Sequence, residues 1–169
     1  DFDTSIDGRQ TAHVQLAPSL LTIRNTDWHV TPCHITYYNK HLDIDNFEIR
    51  HQQQHLLVKG TASESSLDSL NIDLQDIDLD YVLALVDFDA VSFSGLATGG
   101  GSVKGIFGDF RADGQLRVDN FLFEYGRMGT LNATVGWNAE REQIDINAIS
   151  DDGLVYTFVL RDEIGRAHV

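Results

Sequence analysis

Polar and apolar residues alternate along most of the chain. Leu70, Ile72 and Leu74 alternate with Asn71 and Asp73, and Leu131, Ala133, Val135 and Trp137 with Asn132, Thr134, Gly136 and Asn138. Ile144, Ile146 and Ala148 do the same with Asp145 and Asn147. A period of two makes one face apolar and the other wet, the mark of half-buried strands. Gly60, Gly95, Gly105, Gly108, Gly114, Gly126, Gly129 and the pair Asp152-Gly153 punctuate these runs and are expected to be turns. One stretch differs. In DLDYVLALVDF, Leu79, Val82, Leu83 and Val86 follow helical three-to-four spacing, with Asp78 as N-cap and Asp80 adding negative charge to the first turn. The pattern predicts an all-β, mainly antiparallel protein, a curved open sheet or β-taco groove, with one short helix near 79–86.

A phrase occurs twice: LDIDNFEI at 42–49 and LRVDNFLF at 116–123. In both, the apolar positions change phase. Leu42 and Ile44 share one parity and Phe47 and Ile49 the other; Leu116 and Val118 stand likewise against Phe121 and Phe123. Parity sets the face of a strand, so each phrase predicts a bulge at Asp-Asn or a crossing between layers. Asn46 and Asn120 suit such a kink because asparagine tolerates unusual backbone angles. The phrase reads as a curvature device that bends a strand while its apolar side stays turned inward.

Composition narrows the function. The chain has 169 residues, enough for one domain with a core. Asp and Glu outnumber Lys and Arg by 26 to 12, a formal net charge of −14. Such a chain is repelled by phosphate backbones, which argues against nucleic-acid binding, and the same charge keeps an apolar surface soluble. Cys33 is the one cysteine, so no intrachain disulfide forms, and it reads as a small buried hydrophobe. No apolar run reaches the ~18 residues of a membrane span. The chain opens DFDTSIDG without an initiator Met, and its last six residues, IGRAHV, translate a string resembling a common sequencing adapter. The expectation is a truncated reading frame, with 1–163 a single repetitive sheet segment and 164–169 a non-native tail.

Nothing in the sequence argues for catalysis, a metal or a cofactor. In HQQQH, His51 and His55 on one strand would share a face about 13 Å apart, too far for one ion without a third element. Asp73, Asp76, Asp78, Asp80, Asp87 and Asp89 lack the loop pattern of a calcium site, with its central Gly and terminal Glu. GLATGGGSVKG brings Lys104 after glycines, but a phosphate-binding loop needs Gly where Val103 stands, and the stretch is expected to be a flexible hairpin connection. Trp28 and Trp137 are expected in a core or groove lining rather than as a sugar platform.

The order of phrases carries a resemblance. APSLLTIRNTDWHVTP and LDIDNFEI are followed by LLVKGTASESSLDSLNIDLQDIDLDYVLALVDF, VSFSGLATGGGSVKG and LRVDNFLFEYGRMGTLNATVGWN. Over residues 10–150 this resembles the TamB branch of the AsmA-like superfamily, the translocation and assembly module of diderm bacteria, in its Bacteroidetes-type form. The resemblance implies a non-enzymatic segment of a long periplasmic protein, tethered to the inner membrane by an N-terminal anchor that this chain lacks. It implies an elongated curved sheet with an apolar trough, phospholipid acyl chains as ligand, and an outer-membrane assembly barrel of the BamA/TamA type as partner. The roles implied are phospholipid transport to the outer membrane and outer-membrane protein assembly. Groove-facing candidates are Leu70, Ile72, Leu74, Leu116, Val118, Phe121, Phe123, Leu131, Val135 and Trp137. The alternative is a self-contained β-sandwich that binds glycan or protein at a cell surface through Trp28, Tyr37, Tyr38 and Trp137.

Overall fold

The computed structural model describes residues 2–4, 10–80, 93–124 and 126–160. The alternating segments form β1 (Phe2–Thr4), β2 (Gln10–Leu16), β3 (Ser19–Ile23), β4 (Thr26–Val30), β5 (Cys33–Tyr38), β6 (His41–His51) and β7 (Gln54–Ala62). They continue as β8 (Ser69–Asp78), β9 (Phe93–Lys104), β10 (Arg111–Phe123), β11 (Gly126–Asn138), β12 (Gln143–Ser150) and β13 (Val155–Leu160). All belong to one open antiparallel sheet, in the order β1-β2-β5-β6-β7-β8-β9-β10-β11-β12-β13. The β3–β4 hairpin stands off this path and joins it where β4 pairs with β6.

Tight turns set the meander. Arg24-Asn25 and Asn39-Lys40 each carry two positive φ angles, 46° and 64°, then 41° and 58°. That backbone matches the right-handed twist of the strands it joins, as in two-residue hairpins generally. HQQQH is a third hairpin: Gln52 has φ 53°, and His51 pairs with Gln54. The two histidines therefore lie on different strands, not on one. His51 stacks beside Trp28 at 5.6 Å, while His55 contacts Asp73 on the other side of the sheet at 3.0 Å.

Three expectations change. Gly60, Gly95, Gly114, Gly126 and Gly129 lie within strands rather than at turns; Gly105, Gly108 and Gly153 do sit between strands. GLATGGGSVKG is the interior of β9, not a hairpin connection, because pairing with β8 and β10 on both edges overrides the low strand preference of glycine. No complete helix is seen among the described residues, of which Leu79 and Asp80 alone are helical. The helix expected at 79–86 lies outside them from residue 81 on. Asp78 does accept the backbone N–H of Asp80 at 3.0 Å, the contact expected of a cap. Asp87, Asp89 and the tail from 164 also lie outside.

Candidate functional site

The register assigns a face to each strand residue, because directly paired residues project to the same side. Phe47, Val58, Ile72, Gly101, Gly114, Val135 and Ile146 are successive partners from β6 to β12. The next row runs Ile49, Leu56, Leu74, Gly99, Leu116, Ala133, Ala148 and Tyr156. Both rows are apolar or glycine throughout. The row between them runs Glu48, Leu57, Asp73, Gly100, Gln115, Thr134, Asn147 and Thr157, and faces the other way. One side of the sheet is greasy across eight strands, and the other is wet.

The groove candidates all belong to the greasy side, in two conditions. Val118, Phe121 and Leu131 pack with Ala97 and Ala148 into a cluster, with Leu116 and Phe123 half-buried against it. Leu70 is also buried. Ile72, Leu74, Leu116, Phe123, Val135 and Trp137 are half-buried and keep surface that a ligand can meet. Trp28 is buried among Ile49 and Ile77, and the Arg111 guanidinium lies 5.3 Å from the centroid of the Trp137 ring. Neither tryptophan offers an open platform.

The sheet curls toward this side. Trp28 of β4, Ile49 of β6 and Ile77 of β8 share one cluster, so side chains meet over β7. At the opposite end of the strands Tyr37 of β5 meets Phe107, from the β9–β10 connection, with ring centroids 6.2 Å apart. Three strands lie between β5 and β9 in the sheet, and neighbouring strands stand about 4.8 Å apart, so a flat sheet would hold these elements about 19 Å apart.

Bulges produce the curl. Between Ile44 and Phe47, Asp45 and Asn46 of β6 face Lys59 alone; between Val118 and Phe121, Asp119 and Asn120 of β10 face Thr130 alone. Each extra residue returns the apolar positions after it to the original side. A third bulge, which the repeated phrase did not flag, lies between Leu74 and Ile77, where Gln75 and Asp76 face Thr98. Asp76 (φ 50°) and Asn120 (φ 53°) occupy matching places in the left-handed region. The phase change from Leu70, Ile72 and Leu74 to Ile77 and Leu79 was the available signal.

Side chains repair what the bulges break. At Asp45, β6 changes partner from β5 to β4. The Asp45 carboxylate accepts the backbone N–H of His34 at 2.8 Å and that of Asn46 at 2.6 Å. These donors, the His34 N–H foremost and then the Cys33 thiol, hold the Asp45 carboxyl below its ordinary pKa. Asp76 accepts from Thr98 Oγ1 at 3.3 Å, and Asp119 accepts from Arg117 at 2.8 Å. Gly95 faces the β10 bulge with φ 140°, and a β-carbon there would lie 2.6 Å from Val118 Cγ1.

The wet side suits water. Thr61 donates to Asp43 at 2.7 Å, and Asn138 and Gln143 both donate to Asp145, holding its carboxyl below the ordinary range. Two shallow depressions of about 400 and 470 Å³ lie here, the first lined by Gln115, Arg117 and Asn132 together with Ala133 and Ile149, the second by Asp43, Lys59 and Asn71 together with Ile44. No cluster of metal-ligating side chains occurs among the described residues. Compared with family models, curated proteins and solved structures, the chain matches none.

Proposed function

We propose that the chain is a lipid-holding segment of TamB type, in which acyl chains lie along the greasy side while headgroups stay in solvent. The observation that carries this reading is the unbroken apolar register from β6 to β13, over which the described strands add no second sheet. A sandwich would close that face with its own side chains; this sheet leaves Ile72, Leu74, Leu116 and Val135 half open.

The shape of the face supports a chain-like ligand. Gly99 puts no side chain between Leu74 and Leu116, and Gly101 and Gly114 put none between Ile72 and Val135, leaving a furrow one strand wide at the first pair and two strands wide at the second. Each methylene removed from water contributes about 0.8 kcal/mol, so binding needs length rather than specific contacts and tolerates many lipids. The role proposed is holding the ligand or passing it on. Phospholipid transport and outer-membrane protein assembly, with a BamA/TamA-type barrel as partner, are the roles in the periplasm that this reading carries.

The test is lipid analysis of the protein purified from bacteria, by native mass spectrometry and by extraction with chromatography. Phospholipid at a defined stoichiometry is the expected result. A lipid-free protein that gains none from added phospholipid sinks the reading.

A further inference from the structure

We infer that the loops at one end of the strands form a rim that docks on a zwitterionic lipid bilayer through protruding apolar side chains. The inference is independent of the lipid-holding reading, since it concerns loop tips rather than the greasy side. The turns that follow β5, β7 and β9 all fall at this end, and they are tied together. Lys40 Nζ donates to Glu64 at 2.7 Å, and the Phe107 backbone N–H donates to the Ser63 carbonyl at 3.1 Å. The Tyr37 and Phe107 rings meet edge to face, and a β-carbon on Gly108 would lie 2.7 Å from the Glu64 carbonyl oxygen.

Leu67 protrudes from this rim, 93% exposed, and the hydrogen bonds of its own loop hold it out. The Leu67 N–H donates to Ser65 Oγ at 3.1 Å, the Ser65 N–H to Ser63 Oγ at 2.9 Å, and Ser63 Oγ to the Asp68 carboxylate at 2.7 Å. A tip whose polar groups are already satisfied loses little on leaving water, so burial of the leucine is favourable. Tyr38 and Phe110, each 36% exposed, stand on the neighbouring loops.

Two observations identify the partner. The charges of the three loops balance, with Lys40, Lys104 and Arg111 against Glu64, Asp68 and Asp109. The β11–β12 turn, further along this end, adds Glu140, Arg141 and Glu142 and leaves it one charge negative. In a chain of net charge −14, this near-neutral end suits a bilayer without net charge. Leu67, Tyr38 and Phe110 are also knobs on separate loops, which a yielding interface accepts without a matched surface, and tyrosine is at home at headgroup level. At the other end the described turns Arg24-Asn25, Gln52-Gln53 and Asp151-Asp152 are polar, with Leu154 the exposed exception.

Co-sedimentation of the full chain with phosphatidylcholine vesicles tests this. The wild type should bind, with little change between low and high NaCl, and less well once phosphatidylglycerol is mixed in. Leu67→Glu should weaken binding about tenfold or more, the size set by one buried leucine, and Phe110→Ser should weaken it too. Leu20→Glu, at a leucine 61% exposed on β3, should bind like the wild type. Native mass spectrometry should find the same phospholipid content in Leu67→Glu and wild type, so the vesicle result stands whether or not the greasy side holds lipid. A wild type that stays in the supernatant, binding that requires phosphatidylglycerol, or folded Leu67→Glu and Phe110→Ser proteins that bind undiminished would overturn the inference. So would equal loss in Leu20→Glu, or a wild-type dimer in sedimentation velocity that Leu67→Glu dissolves, which would give the rim to a second copy.

Discussion

Val135→Asp separates lipid holding from folding. Val135 sits on β11 between Gly114 and Ile146, half-buried, with no side chain beside it on the Gly114 flank. A carboxylate can therefore reach water in the empty protein, and the folding cost should be about 1 kcal/mol, the usual size for a partly exposed strand substitution. A docked acyl chain changes that balance, because it shuts water away from the carboxylate and offers no hydrogen bond. Burying an uncompensated polar group costs about 1–3 kcal/mol, which corresponds to about a five- to 150-fold loss of affinity. The control is Thr134→Asp, one residue away on the wet side, exposed and already among polar neighbours. Both variants and the wild type should be expressed in bacteria, melted to check folding, and weighed intact by native mass spectrometry. The expected outcome is a folded Val135→Asp protein stripped of phospholipid and a Thr134→Asp protein loaded like the wild type. Equal loading in all three, or equal loss in both variants, refutes the argument that the greasy side holds the ligand. Leu131→Asp, attractive from the sequence, is the poorer test, since Leu131 belongs to the packed cluster and its loss would unfold that end.

Three further outcomes follow from the bulges and their carboxylates. Asn120→Val places a β-branched residue at φ 53° and should cost about 1–2 kcal/mol in urea unfolding, whereas Asn120→Gly should be close to neutral. Gly95→Ala should lower stability by about 1–3 kcal/mol, since its new carbon meets Val118 and the Asp119 carbonyl at a strained φ; a melting temperature equal to the wild type would show that the strand can shift aside. Asp45 and Asp145 have depressed folded pKa values, so their stabilisation is complete above the unfolded value of about 3.9 and is lost as pH falls through the lower folded ones. The urea midpoint should hold steady toward pH 5 and drop on further acidification, with a shallower drop in Asp45→Asn; identical slopes would remove Asp45 from that account.

Much of the sheet was legible because alternation and register report the same fact. Leu131, Ala133 and Val135 against Asn132 and Thr134 fix a face locally, and pairing with Ile146 and Ala148 extends it. The bulges at Asp45 and Asp119 were legible from the change of parity alone. The Gln75-Asp76 bulge was missed for want of the Asp-Asn-Phe wording, although its parity signal was as clear. The glycines misled more deeply. A glycine has no side chain to show which face it belongs to, so Gly99 and Gly101 read as a loop until β8 and β10 pinned them on both sides. HQQQH failed for a related reason: no Gly or Asn marks its turn, and Gln52 adopts a positive φ under the pull of the strands it connects. Likewise Ile149 and Val155 look like ordinary alternation along the chain, and only pairing puts them opposite each other on the polar side.

The placement of the bulges suggests why curvature and an open face go together. They lie on β6, β8 and β10, every second strand, and all three strands run in the same direction. Their heights differ: the β6 bulge falls one row before Val58 and Ile72, that of β8 beyond Leu74 and Gly99, and that of β10 beyond Val118 and Leu131. A diagonal line of added residues accentuates the right-handed twist step by step rather than folding the sheet along one crease. The greasy side therefore winds along the sheet as a furrow, closed where clusters such as Trp28 with Ile77 meet and open over the glycines of β9. Had the bulges stood level, the two halves could have folded onto each other and buried their apolar rows together, removing the surface on which the proposed ligand lies.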